Sequence, residues 1–142
     1  MNKKTPSMDK RGIITMEFAL ILPILVGIVF ASIDLSMLLY NRQVLVNAAR
    51  EGVRAGTMAC ENRLSNNGII QLIKDRSQPL LTAFKGARTP AITVLPANRD
   101  PDLASFQENL KITVTYTYDY LWLSYFQLDP HTITVSATMK ME

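Results

Sequence analysis

The sequence predicts an α+β protein: a long amino-terminal transmembrane helix continues as an amphipathic stalk and leads into a small domain of one helix and an antiparallel sheet. Three observations support this prediction. Residues 13–33 form an apolar run with a single charge, Glu17. Residues 41–60 are apolar mainly on one helical face. Residues 110–140 hold two segments in which apolar and polar side chains alternate, as half-buried strands require.

The apolar run is long enough to cross a bilayer. As an α-helix it would rise about 31 Å, against roughly 30 Å of hydrocarbon. A core helix of a soluble protein would show a polar stripe, whereas residues 18–33 carry no charge. Asp34 follows directly, and we expect it to be a solvated residue at the outer boundary. The predicted parts are a leader, a transmembrane helix, an amphipathic extension and an α+β domain, at residues 1–12, 13–40, 41–62 and 63–142.

Positive charge is concentrated ahead of the apolar run. The formal net charge of the chain is +3, and the first twelve residues alone account for it, because four basic residues there outnumber Asp9. The rest of the chain is neutral and offers no electrostatic footprint for nucleic acid. By the positive-inside rule the leader stays in the cytoplasm and the carboxy-terminal domain lies across the membrane.

The amphipathic extension carries a row of small residues. Ala48, Gly52 and Gly56 follow at intervals of four and therefore share one helical face. A glycine inside a helix costs about 1 kcal/mol relative to alanine, so two glycines on one face indicate close packing. We assign this row to helix contact with partner subunits. The alternative is a helix weakened by chance composition.

The distal residues predict a second helix and three strands. Asn67-Gly68 predicts a turn, followed by a helix from Ile69 to about Phe84 that Pro79 kinks or restarts, with Ser77 available as a cap. The strand-like runs are AITVLP, LKITVTYTYDYLW and HTITVSATMK. The middle run places a row of large apolar side chains on one face, which we expect to pack in the core: Ile112, Val114, Tyr116, Tyr118, Tyr120 and Trp122.

No pattern in the sequence indicates catalysis. Cys60 is the single cysteine and His131 the single histidine, so the chain cannot form a local Cys/His metal site. The sequence has no G-x-S-x-G, no phosphate loop and no paired-carboxylate motif. We therefore expect a protein that is not an enzyme, with no cofactor, no metal and no small-molecule substrate. Cys60 is expected to be a free thiol, with a bond to a partner chain as the alternative.

The beginning of the apolar run resembles a processing signal. A short basic leader ends at Gly12, an apolar helix begins at Ile13, and Glu17 is the fifth residue after Gly12. This arrangement resembles the type III signal of type IV prepilins and pseudopilins, which implies cleavage between Gly12 and Ile13. The cut would create a free amine, and Glu17 of one subunit could pair with the amine of its neighbour. An opposite charge nearby makes a carboxylate tolerable near hydrocarbon.

A longer segment, residues 11–56, is similar to the TadE-like family of the tight-adherence (Tad, or Flp) pilus machinery. The matching elements are Arg11-Gly12, Glu17-Phe18-Ala19, Pro23 and the segment NAAREGVRAG. The resemblance implies a minor pseudopilin of the bacterial inner membrane that a prepilin peptidase processes. It also implies contacts with other pilin-like subunits and with the Tad inner-membrane machinery during pilus assembly.

The sequence departs from the family pattern at two positions. Ile13 takes the first mature position in place of phenylalanine, and Cys60 has no second cysteine. The sequence does not distinguish the TadE branch of the family from the TadF branch. It also does not distinguish a subunit of the pilus fibre from a subunit at the base of the fibre. The main alternative is an unprocessed, membrane-anchored scaffold of a secretion complex. A secreted soluble protein is disfavoured because no A-x-A-like cleavage site follows the long apolar run.

Overall fold

A computed structural model describes residues 10–57, 64–83, 89–96, 109–127 and 129–140. The elements are α1 (Lys10–Thr57), α2 (Asn66–Ser77), β1 (Ala91–Leu95), β2 (Asn109–Tyr118), a 3-10 turn (Leu123–Phe126) and β3 (His131–Lys140). This arrangement confirms the predicted α+β class. The predictions for the leader before Lys10, for Cys60 and for a second helix reaching Phe84 concern residues outside the described ones.

α1 is one continuous helix of 48 residues with two different surroundings. It is about 72 Å long, and Pro23 lies inside it without ending it. Its apolar first half is long and apolar enough to span a membrane, and no residue of its most apolar window is buried. Its second half is amphipathic as predicted, with Leu45, Ala49 and Val53 almost completely buried. The small domain therefore packs mainly on the second half, and it touches the end of the apolar half where Trp122 meets Phe30.

The three strands form an antiparallel sheet in the order β1-β2-β3. β2 is central and pairs with β3 along its whole length, from Asn109 opposite Lys140 to Tyr118 opposite His131. Burial alternates along β2 as the sequence predicts, and its inward side chains form the centre of the core: Leu110, Ile112, Val114, Tyr116 and Tyr118. β3 follows the same alternation through Ile133 and Val135.

α2 differs from its prediction at both ends. Asn67-Gly68 is not a turn but lies in the first helical turn, because the Ser65 side chain caps the helix and accepts the Gly68 N–H at 3.3 Å. The helix ends at Ser77, so Pro79 lies in the following turn and neither kinks nor restarts a helix. The Ser77 hydroxyl donates to the Ile73 carbonyl at 2.7 Å and does not cap a second segment.

The sheet has a definite direction along α1. At one end, the Thr57 hydroxyl lies 3.2 Å from the sulfur of Met139, next to the β2 residue Leu110 with which Met139 pairs. At the other end, the chain leaving β2 after Tyr118 meets α1 at Asp34. β2 therefore runs back along α1 toward the apolar half, which places the loop between β2 and β3 at the membrane-proximal end of the domain.

Candidate functional site

Asp34 joins the exposed apolar helix to the domain. One carboxylate oxygen accepts the Leu121 N–H at 2.9 Å, and the other accepts those of Trp122 and Leu123 at 2.9 and 3.1 Å. The side chain is only 1% exposed. The expectation of a solvated boundary residue is therefore wrong, because three backbone donors from the β2–β3 loop replace water around the carboxylate.

Aromatic rings cover the same junction. Trp122 stacks on Phe30 with ring centroids 4.7 Å apart and planes inclined by 19°, and Tyr125 stacks on Trp122 with ring centroids 6.3 Å apart. Tyr118 meets Tyr120 edge to face at 5.6 Å. The prediction that Trp122 continues the strand row is wrong, because β2 ends at Tyr118 and the chain turns toward α1. Within that row, the core prediction is confirmed for Tyr116 and Tyr118.

Asn41 provides a second polar attachment on the same face of α1. Its amide nitrogen donates to the Thr82 carbonyl at 2.9 Å, and its amide oxygen accepts the Thr82 N–H at 3.0 Å. Asn41 is fully buried and follows Asp34 by seven residues, or two helical turns. Sequence reasoning missed both residues. One signal could have identified them. Asp34 and Asn41 share a helical face with the buried residues Leu45 and Ala48, and polar side chains on a buried face need hydrogen-bond partners within the protein.

Tyr118 places a phenol in the core beside this junction. Its hydroxyl is buried and has no hydrogen-bond partner among the described residues. Burial raises the pKa of Tyr118 to about 12, and the nearby Asp34 carboxylate adds to the rise. The folded chain therefore favours the neutral phenol strongly, and an ionised Tyr118 would oppose folding.

Replacing Tyr118 by phenylalanine should reduce the loss of stability at high pH. The pKa is about 12 in the folded chain and 10.0 as the ordinary value, so the wild type is fully stabilised below pH 10 and loses stability as the pH rises toward 12. Phenylalanine keeps the ring packing and removes a hydroxyl that has no partner, so stability at pH 7 should be equal or slightly higher. Urea unfolding in detergent micelles at several pH values measures both effects.

Tyr40→Phe is the matched control, because Tyr40 is exposed on α1. Its unfolding should keep the alkaline slope of the wild type. An alkaline slope that is identical in Tyr118→Phe and the wild type would contradict the role assigned to Tyr118.

The small-residue row of α1 lies inside the protein. Ala48, Gly52 and Gly56 are all buried against the chain's own domain. A Cβ added at Gly52 would lie 2.6 Å from Cδ1 of Ile73 and 3.4 Å from Cδ1 of Ile112. At Gly52 the predicted close approach is therefore made by α2 and the sheet of the same chain. The whole row is buried within the single chain, so its face is already covered when a partner subunit binds.

The residues of the proposed processing signal lie on the exposed part of α1. Gly12, Ile13 and Glu17 are all solvent-exposed, and nothing lies within 4 Å of a Cβ built at Gly12. Glu17 makes no hydrogen bond or ion pair with any described residue. The carboxylate is thus available to a group from outside the chain.

A groove runs between α1 and the edge strand β3. It has a volume of about 660 Å³ and is lined by Arg42, Arg50 and Arg54 on the helix and by residues 134–139 of the strand. Successive strand residues point to opposite faces, so six consecutive lining residues indicate that the groove follows the backbone edge of β3. An ion pair between Arg76 and Glu51, at 3.1 Å, lies outside this groove.

The described residues contain no group of three or more His, Cys, Asp or Glu side chains that could hold a metal ion. Their functional features are an exposed apolar helix, a carboxylate near its start and a polar and aromatic junction at its end.

Comparison with known proteins gives one finding, and it concerns this helix. A search of curated proteins found no match, and neither did a search of solved structures. The model described as TadE-like protein matches residues 12–54, which run from the proposed cleavage position to the last turn of α1. The match confirms the resemblance that the amino-terminal segment carries: residues 12–54 are similar to the TadE-like family, and this similarity suggests an association with the Tad pilus.

Proposed function

We propose that the protein is a minor pseudopilin of the Tad, or Flp, pilus. It is a single-pass subunit of the bacterial inner membrane, with its leader in the cytoplasm and its domain outside. The prepilin peptidase cuts it between Gly12 and Ile13, and the mature chain takes part in pilus assembly. The observation that carries the proposal is the exposed apolar half of α1, which leaves the domain as a free helix and has the TadE-like match along it.

Glu17 has a defined task in this proposal. After the cut, Ile13 carries a free amine, and Glu17 lies four residues further along the same helix. This separation is a rise of about 6 Å, so two parallel helices staggered by about one turn bring the amine of one level with the carboxylate of the other. The ion pair neutralises a charge that is costly beside hydrocarbon, and it favours one axial offset between the neighbouring helices. The exposure of Glu17 supports this role.

Partner subunits meet surfaces that the domain leaves open. Because the row of Ala48, Gly52 and Gly56 is covered, contacts with other pilin-like subunits and with the Tad inner-membrane machinery use the apolar first half of α1 and its outer face beyond Tyr40. That outer face is polar and carries Gln43, Asn47 and Arg54. The proposal needs no cofactor, no metal and no nucleic acid.

The test combines the mass of the mature chain with a Glu17→Gln variant in a host that makes the pilus. The wild-type chain should begin at Ile13. Glu17→Gln should insert into the membrane and lose its leader in the same way, but pili should be lost or strongly reduced, because the amide cannot pair as an ion with the neighbouring amine. Immunoblots of membranes and counts of pili by electron microscopy report the two results separately.

Glu51→Gln is the matched control for this experiment. Glu51 lies on the same helix, is exposed and pairs with Arg76 at the surface, where an ion pair contributes about 0–1 kcal/mol. Pili should be normal in this variant. Normal pili in Glu17→Gln would refute the pairing role.

An uncut leader would favour the alternative, an unprocessed scaffold of the same export system. One observation supports that alternative: residues 12 and 13 both belong to α1, so the Gly12–Ile13 bond lies within a helical turn. A protease must unwind this turn before it can cut. The mass of the chain isolated from its host decides between the two functions.

A further inference from the structure

We propose that residues 121–125, the interfacial loop, insert into the outer interface of the bilayer and hold the domain against the membrane. The loop joins β2 to β3 at the membrane-proximal end of the sheet. The partner is the lipid surface itself. The proposal depends on α1 crossing the membrane and not on cleavage of the leader, so it goes beyond the proposed function and can be judged apart from it.

The depth of the loop follows from its contact with α1. Trp122 stacks on Phe30 with 4.7 Å between ring centroids. Phe30 belongs to the uncharged run of residues 18–33 and lies one turn, about 6 Å, before Asp34. When α1 spans the bilayer, the indole ring therefore lies below the level of Asp34. This depth is within the 5–10 Å that interfacial segments reach into the headgroup and acyl boundary.

The backbone of the loop is prepared for an environment with little water. An unpaired N–H group in hydrocarbon costs several kcal/mol. Three successive N–H groups, those of Leu121, Trp122 and Leu123, are all accepted by the Asp34 carboxylate. The charge of Asp34 is in turn compensated by these three donors. The loop N–H groups and the Asp34 carboxylate thus satisfy each other's hydrogen bonds at the membrane boundary, where both would otherwise need water.

The side chains that the loop leaves open suit the same partner. Leu121 is 49% exposed and Tyr125 is 83% exposed, although both are large and apolar over most of their surface. Tryptophan and tyrosine are enriched at membrane interfaces, where an apolar ring and one polar atom meet both phases. The loop therefore presents leucine, tryptophan and tyrosine beside the end of the membrane helix. The lipid interface is the one partner that suits all three side chains.

Trp122 makes the proposal measurable, because it is the only tryptophan of the chain. The full-length protein is reconstituted in phosphatidylcholine vesicles, either plain or brominated at a defined position of the acyl chain. Bromine quenches only fluorophores close to it, so contact between Trp122 and Phe30 alone cannot produce the signal. We expect a clear loss of Trp122 emission, stronger with bromine near the headgroups than with bromine near the bilayer centre.

The control moves the tryptophan to the other end of the domain. Trp122→Phe combined with Leu95→Trp places it at an exposed position of β1, opposite Lys111 and about 24 Å along β2 from Tyr118. This protein should show no loss of emission. Unquenched Trp122 in the wild type would overturn the proposal. Equal quenching at both positions would overturn it too, since the whole domain would then lie flat on the bilayer.

A second variant tests whether the loop contacts the lipid at a position other than Trp122. Trp122→Phe combined with Tyr125→Trp moves the indole to the most exposed position of the loop. We expect quenching at least as strong as for Trp122. A water-exposed, unquenched tryptophan at this position would show that the loop faces solvent and would reject the interfacial assignment.

Discussion

Asp34→Asn should destabilise the domain by about 3 kcal/mol and release the interfacial loop from α1. The carboxylate accepts three backbone N–H groups with its two oxygens, whereas asparagine offers one oxygen and turns an NH2 group toward at least one of these donors. Two or more buried polar groups then lack partners. Urea unfolding in detergent micelles, followed by the emission of Trp122, measures the loss, since Trp122 reports the contact with Phe30.

Asp129→Asn provides the control for this change. Asp129 lies in the same loop region just before β3 and is exposed. Its replacement should alter the free energy of unfolding by less than about 0.5 kcal/mol, as surface substitutions usually do. An Asp34→Asn protein that unfolds at the urea concentration of the wild type, with unchanged Trp122 emission, would contradict the assigned role of Asp34.

Gly52→Val should destabilise the packing of α2 on α1 by about 2–3 kcal/mol. The added Cβ would lie 2.6 Å from Cδ1 and 2.7 Å from Cγ1 of Ile73, a side chain that is fully buried and cannot move into solvent. The helix propensity of valine returns only a few tenths of a kcal/mol relative to glycine. The same unfolding measurement applies.

Two further variants make this second prediction specific. Gly27→Val lies on the same helix, where an added Cβ meets nothing within 4 Å, so the domain should unfold as in the wild type. Ile73→Ala removes the carbons that clash, and together with Gly52→Val it should cost less than the sum of the single changes. Additive effects would show that Gly52 and Ile73 do not meet.

The sequence predicted those parts of the fold whose signal is local. The apolar run, the amphipathic second half of α1 and the alternation in β2 and β3 each follow from side-chain period within one element, and all three are found in the structure. The row of Ala48, Gly52 and Gly56 was assigned to contact with partner subunits, whereas the close neighbours of Gly52 in the structure are Ile73 and Ile112 of the same chain. Its occupant could not be named from the row, because glycine spacing shows that a neighbour comes near and not which chain supplies it.

The junction was missed because its partners are far apart in sequence. Asp34 is bonded to residues 87 to 89 positions further along the chain, and Asn41 to a residue 41 positions away. A polar residue at the end of an apolar run has the same local pattern whether water or a distant loop surrounds it. The start of α2 was misplaced for a local reason, since Asn-Gly favours turns but Ser65 supplies a cap that lets the helix begin earlier.

The attachments at Asp34 and Asn41 lie on one side of a single unbroken helix, with the close contact at Gly52 continuing the same line. Because no flexible linker separates α1 from the domain, a rotation of α1 about its own axis in the lipid turns the domain through an equal angle. Subunits that bind the membrane-embedded part of α1 would therefore set the direction in which the domain faces.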